Sequence, residues 1–479
     1  MISSSIYWYD FETFGVNPRR DRACQFAGIR TDEDLNIIGE PLVLYCKTAD
    51  DFYPGPFACL VTGITPQIAN AKGVPEAEFI KRINAEFSVP GTCVAGYNNI
   101  LFDDEMTRQL LYRNLLDPYA REWKNGNSRW DIIDMLRLCA ATRPEGIEWP
   151  RKENGSISFK LDELTFANEI EHSEAHDALA DVIATIEMAK LVKAKQPKLY
   201  NYVYSIKNKS SVLAEIDLHT QKPMLHISMR YSSSRGYIAL VMPICRHPTN
   251  KNAVVVYDLR EDPSAWCDLS VNEIKDRVYL PKSKLPTGIC SIPLAILHTN
   301  RCPVVASPAV LSSQQAEKFG IDLDECRIYW EKLHNDHVVK EKIKVVFSEE
   351  EFPEDSDPDF MIYSGNFFSD KDRELMEIVT STNPSDLSRL DLPFCDDRLH
   401  EMVFRYRARN YPETFSDDDR DRWNRFRKEK LLNSKISDCY EQEMEKAWLK
   451  VNKTNNAAGR IILQELQEYS DQLLESLIE

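Results

Sequence analysis

The sequence predicts an α/β domain followed by a β-rich segment and then a helical one. Three observations predict it. Apolar runs of strand length lie near residues 5–12, 23–31, 37–46 and 92–98; helical periodicity lies near 75–87, 103–116, 130–141, 160–169 and 174–194; and the pattern changes near 196 and again near 349. The first three strands are joined by short turns, Val16-Asn-Pro-Arg19 and Asp32-Glu-Asp-Leu-Asn36, which predicts an antiparallel meander. The fourth follows a helix and is expected to pair in parallel beside the first.

The polar run Lys193-Ala-Lys-Gln-Pro-Lys198 ends the first segment, 1–196. From 197 to 348, apolar stretches at Met224–Met229, Tyr237–Pro243, Ala253–Asp258 and Ile292–His298 alternate with proline and polar turns, a β-rich pattern. An acidic loop, Ser348-Glu-Glu-Glu-Phe-Pro-Glu-Asp-Ser-Asp-Pro-Asp359, leads into the helical segment, 349–479. There is no internal repeat and no P-loop glycine pattern, so nothing points to nucleoside-triphosphate hydrolysis.

At 479 residues the chain is too long for one core, and its 43 % hydrophobic and 28 % charged residues are those of a globular protein. No stretch is long and apolar enough to span a membrane and the N-terminus lacks a signal-peptide pattern, so a cytoplasmic protein is expected, a monomer by default. Twelve cysteines without a Cys-x-x-Cys pair suggest free, mostly buried thiols. The net charge of −17 opposes nucleic-acid binding only on average. What a phosphate backbone meets is the local field of its groove.

Asp10 and Glu12 lie two apart on the first strand and therefore share a face, away from the residues between them. Two adjacent carboxylates repel, and a divalent cation such as Mg²⁺ or Mn²⁺ removes the conflict. An acidic strand end is otherwise simply solvated. Asp103, with Asp104 and Glu105, opens a helix, where acids also complement the helix dipole. His176 and Asp181 stand five apart at the start of a long amphipathic helix; His172 and Asp177 have the same separation.

In combination these elements resemble the DEDD superfamily of 3′→5′ exonucleases, in its histidine branch. The texts Tyr97-Asn-Asn99, Phe102-Asp-Asp-Glu105, Asn127-Ser-Arg-Trp-Asp131, Arg143-Pro-Glu-Gly146, Ile170-Glu-His-Ser173, Phe367-Phe-Ser-Asp370 and Tyr406-Arg-Ala-Arg-Asn410 resemble the bacterial exonuclease I family over essentially the whole chain. The resemblance implies a ribonuclease-H-like exonuclease domain, an SH3-like β-rich domain and a helical C-terminal domain. It implies hydrolysis of single-stranded DNA by two metal ions, Mg²⁺ with Mn²⁺ as substitute, in DNA repair and recombination. Asp10 would bridge both ions, Glu12 and Asp181 complete one site, Asp103 help hold the other, and His176 act as general base. It also implies docking of the acidic, Phe-ending tail of single-stranded DNA-binding protein at Arg143 and Tyr202, although Ser312 and His334 stand where that family carries basic residues. An RNA-trimming exonuclease and an inactive strand-binding scaffold are the rival readings.

Strand contacts are expected from residues around the acids and from basic–aromatic text. Phe11, Thr13 and Phe14 flank the carboxylates; Phe11, pointing away from them, is equally a core residue. Asn99 either steadies the turn before Asp103 or caps it. Arg129 and Lys160 are candidate phosphate contacts, and Lys160 is equally a solvated side chain. In Phe404-Arg-Tyr-Arg-Ala-Arg-Asn-Tyr411 cations alternate with rings, and Arg405 and Arg409, four apart, would share a helix face towards the strand. An ordinary helix face with a buried aromatic stripe gives the same text.

Overall fold

Trp8, Tyr9 and Ile6 are fully buried on a strand whose two faces are both covered, as a central strand requires. This strand, β1 (Ser5–Thr13), pairs antiparallel with β2 (Ala23–Thr31), placing Asp10 opposite Ala27 and Glu12 opposite Gln25. The computed structural model describes residues 4–172, 177–348 and 355–477. β3 (Leu42–Tyr45) continues the meander on β2, and β4 (Thr92–Gly96) runs parallel to β1 from Ser5↔Thr92 to Trp8↔Ala95. The order β3-β2-β1-β4 is the one the turn lengths predict. A short strand, β5 (Ser128–Asp131), follows.

Packing gathers the chain into two units that interleave in sequence. One comprises Met1–Ser128, Ser173–Ile183 and Pro353–Glu479; the other comprises Arg129–His172 and Ala184–Phe352. In the first, Tyr9, Phe11, Phe26, Phe79 and Phe87 form an aromatic core beneath the sheet, closed by the helices Glu76–Phe87 and Asp103–Arg113. Two helices not expected from the sequence, Pro56–Thr62 and Pro66–Lys72, carry Cys59 and Ala69 into a second core with Phe14, Phe52 and the helices Ser434–Lys453 and Ala457–Glu475. Each is seven residues long and opens on proline, so neither shows helical periodicity.

The second unit contains an antiparallel sheet in the order β10-β6-β7-β8-β9, with β6 Met224–Ile227, β7 Ile238–Arg246, β8 Ala253–Asp258, β9 Leu294–His298 and β10 Val304–Ala306. Four of these lie where the apolar runs predict them; β10, three residues long, was not expected. Pro243 lies within β7 at a register shift, the position at which a strand tolerates a residue without an N–H. Val241, Val254, Val256, Leu297 and Val305 supply its core.

Candidate active site

β1 alternates, so Tyr9 and Phe11 enter the aromatic core while Asp10 and Glu12 project from the opposite face. Pairing of β1 with β4 ends at Trp8↔Ala95. Beyond that point the Phe11 N–H donates to Asp103 Oδ1 at 3.3 Å, which ties the first turn of the Asp103–Arg113 helix to the acid-bearing end of β1. Asp181 lies one turn into the helix Ala178–Lys195. Ligand atoms of Asp10, Glu12 and Asp181 all lie within 4.8 Å of one another.

These carboxylates perturb each other strongly. Burial, and then the charges of Asp103, Asp181 and Asp177, raise the Asp10 carboxyl well above the usual carboxylate range. Glu12 is pushed up to about 9 by burial and then by Asp10 and Asp181. Burial also raises Asp103, against the Phe11 N–H that favours its charged form. A partly buried, all-oxygen donor set whose members cannot all stay charged without a counter-ion fits a hard divalent cation.

Asp177, five residues after His172, caps the helix: Oδ1 accepts from the Leu179 and Ala180 N–H groups at 3.1 and 3.2 Å. His172 Nδ1 lies 3.1 Å from Thr165 Oγ1. Asp181, rather than Asp177, therefore belongs to the close carboxylate group. His176, expected as general base, lies outside the described residues.

A network missed in the sequence steadies the Asp103 turn. Asp104, fully buried, accepts from Tyr9 Oη at 2.8 Å and from Arg121 Nη2 at 2.7 Å, and Arg121 stacks over Phe87 at 5.0 Å. Asn99, also buried, has its Nδ2 3.5 Å from Tyr9 Oη. In the sequence alone Asp104 is one of three acids that complement the helix dipole. Its burial depends on Arg121, from a short 3₁₀ turn with no periodic signal of its own.

Several expected strand contacts are corrected. Phe11 and Phe14 are core residues, 5 % and 1 % exposed, against Phe26 and Phe52 respectively. Arg405 and Arg409 are not on a strand-facing surface. Arg405 pairs with Asp357 (2.5 Å), Asp359 (3.0 Å) and Glu401 (2.8 Å), and Arg409 with Asp359 (2.5 Å) and Asp51 (2.8 Å). The cations there answer buried acids rather than phosphates. Arg129 is buried and donates to the Asn300 carbonyl at 2.6 Å. Thr13 donates to the Gly15 carbonyl at 2.7 Å, and Lys160 is exposed beside Glu163 at 3.1 Å. In the second unit, exposed Arg143 holds the Val310 carbonyl at 2.9 Å, and Tyr202 donates to the Val305 carbonyl at 2.8 Å.

Three family models match the chain: an exonuclease domain over residues 7–189, an exonuclease I SH3-like domain over 207–349 and an exonuclease I C-terminal domain over 356–473. Exodeoxyribonuclease I of Escherichia coli K12 is 46 % identical over 427 residues, 89 % of this chain and 90 % of the relative. A crystal structure of Escherichia coli exonuclease I in complex with a dA16 oligonucleotide superposes with a TM-score of 0.94 at 43 % identity, covering 98 % of this chain and 100 % of that one. A structure of SSB with exonuclease I and the inhibitor CFAM gives a TM-score of 0.90 at 42 % identity, with the same coverage. With these matches and the acid cluster at the end of β1, the chain belongs to the exonuclease I family.

Proposed function

We propose that this chain is a divalent-metal-dependent 3′→5′ exonuclease that degrades single-stranded DNA to nucleoside 5′-monophosphates. The observation that carries the reading is the meeting of Asp10, Glu12 and Asp181 ligand atoms within 4.8 Å in a member of this family. Divalent ions, when bound, supply charge neutralisation and a water of lowered pKa. Asp10, Glu12 and Asp181 would hold them, with Asp103 aligned beside β1 as a further ligand. Mg²⁺ is the ion we assign, with Mn²⁺ as a substitute. His176 accepts the proton of the attacking water, a task suited to an imidazole.

The three segments 1–196, 197–348 and 349–479 are the division we assign to nuclease, SH3-like and helical domains. Arg143 and Tyr202 are our candidates for holding the tail of single-stranded DNA-binding protein, supported by a relative solved with SSB. A cytoplasmic monomer is the working form. The test is release of 3′ and 5′ labels from single-stranded DNA and RNA, with Mg²⁺ or EDTA, by the wild type and by Asp10→Ala. Immediate release of the 3′ label from DNA as a mononucleotide, abolished by EDTA and by the substitution, is expected. Faster cleavage of RNA would move the substrate class, and binding without cleavage of either would overturn the enzyme.

A further inference from the structure

Asp10, Glu12 and Asp181 bring their ligand atoms within 4.8 Å of one another, and Asp103 is not a member of that close group. Its placement is decided from the other face of β1. Tyr9 precedes Asp10 and Asp104 follows Asp103, and the Tyr9 hydroxyl donates to Asp104 Oδ1 at 2.8 Å. Tyr9 and Asp104 are 2 % and 0 % exposed. Consecutive Cα atoms are ~3.8 Å apart, so a bond between these neighbours limits how far Asp10 and Asp103 can drift from each other. The bond from the Phe11 N–H to Asp103 Oδ1, at 3.3 Å, is the longer of the two ties.

The Asp104 carboxylate is itself held. Arg121 Nη2 donates to the same Oδ1 at 2.7 Å, its guanidinium lies 5.0 Å from the Phe87 ring centroid, and Phe87 meets Tyr9 edge to face at 5.0 Å. Asp104 and Arg108, four apart, share a face of the helix Asp103–Arg113. The turn Ala120–Glu122 answers both: Arg121 pairs with Asp104, and Glu122 with Arg108 at 2.7 and 3.0 Å. The Arg108–Glu122 bridge joins turn to helix; the Asp104–Arg121 bridge continues through Tyr9 to β1. A fully buried ion pair is weak evidence of a gain in stability, because desolvation offsets its attraction. Its place behind two metal ligands gives it another use.

We propose that Tyr9, backed by the Asp104–Arg121 pair, is a positioning residue that fixes Asp103 against Asp10 and so sets the affinity of the site for its second divalent ion. Groups behind metal ligands change metal affinity or activity by about 10–100-fold when removed. The first ion, held by Asp10, Glu12 and Asp181, does not depend on this tie. The proposal rests on the exonuclease reading above.

Tyr9→Phe removes the hydroxyl and keeps the ring. Tyr7→Phe is the matched control: Tyr7 lies two residues earlier on the same strand face, is also 2 % exposed, and its hydroxyl has no hydrogen-bond partner among the described residues. The metal-stripped full chain and both variants are titrated with Mn²⁺ in the presence of dTMP, the free ion being read from its electron paramagnetic resonance signal. Melting in EDTA, and kcat and KM for Mg²⁺-dependent hydrolysis of oligo(dT), are measured alongside. Tyr9→Phe is expected to take up the first ion as tightly as the control and the second about tenfold more weakly, with kcat lowered by a similar factor, KM unchanged and a melting midpoint close to the control's. Equal uptake of both ions by the two variants overturns the positioning role alone, as does an active wild type that binds a single ion. Equal weakening of both steps with a lowered melting midpoint overturns it in favour of a general role in the fold. A wild type that takes up no Mn²⁺ and cleaves no single strand overturns the exonuclease reading itself.

Discussion

At the scale of single residues, the two histidine–aspartate pairs are separated by what each aspartate does. Asp177 caps a helix and Asp181 joins Asp10 and Glu12. His176→Ala is therefore expected to lower the hydrolysis rate by about 10²–10⁴ while leaving strand binding intact, and His172→Ala to leave the rate nearly unchanged. Single-turnover rates measured with strand affinity check this, and the reverse pattern would reassign the base. The raised carboxylates give a pH dependence of opposite sign to that of ordinary salt-bridged acids. Glu12, ordinarily near 4.5 and here about 9, binds more proton folded than unfolded between those values, so metal-free stability falls as pH rises through that window. Asp10 acts in the same direction. Thermal melts in EDTA should fall from pH 5 to pH 9, and the gain on adding Mg²⁺ or Mn²⁺ should grow with pH. A cation-induced gain that shrinks with pH would mean that the acids do not hold the ion.

At the scale of elements, a feature is legible in the sequence where its pattern is local and illegible where it needs a distant partner. The alternation that puts Asp10 and Glu12 on one face and Tyr9 and Phe11 on the other lies within one strand, and β1 to β4 are legible for that reason. The text around Arg405 and Arg409 has the same form whether the cations face phosphates or acids. Deciding it required Asp51, Asp357 and Asp359, which lie far away in sequence. Arg22 and Lys430 also lie 3.7 and 2.8 Å from Asp51, so the helical C-terminal region is joined to the nuclease sheet through buried charge. Burial alone would raise Asp359, but Arg409 and Arg405 outweigh it and hold the carboxyl below its usual range. Arg409→Met is expected to destabilise the fold by about 3–5 kcal/mol by leaving these acids uncompensated. Urea unfolding checks it, and a normal stability with a reduced salt slope of strand binding would instead return Arg409 to the strand. Phe14→Ala should likewise cost about 3–5 kcal/mol as a core truncation, read as a lower denaturation midpoint at unchanged KM.

At the scale of the whole molecule, net charge and function point in opposite directions. A chain at −17 that binds single strands must do so through local fields, so affinity should fall steeply with added salt and duplex DNA should compete poorly. Titrations of oligo(dT) and duplex at two ionic strengths check this, and salt-independent affinity would exclude a cationic path. None of the described helices is long and apolar enough to cross a membrane. The thiols have a use of their own. All twelve cysteines are free, nine are buried, and the three exposed ones divide between the units: Cys395 and Cys439 in one, Cys290 in the other. With Cys395→Ser, a maleimide donor–acceptor dye pair would land on Cys290 and Cys439 without engineered handles. Energy transfer between them would then report, molecule by molecule, whether the two units change their separation as a strand is threaded and shortened.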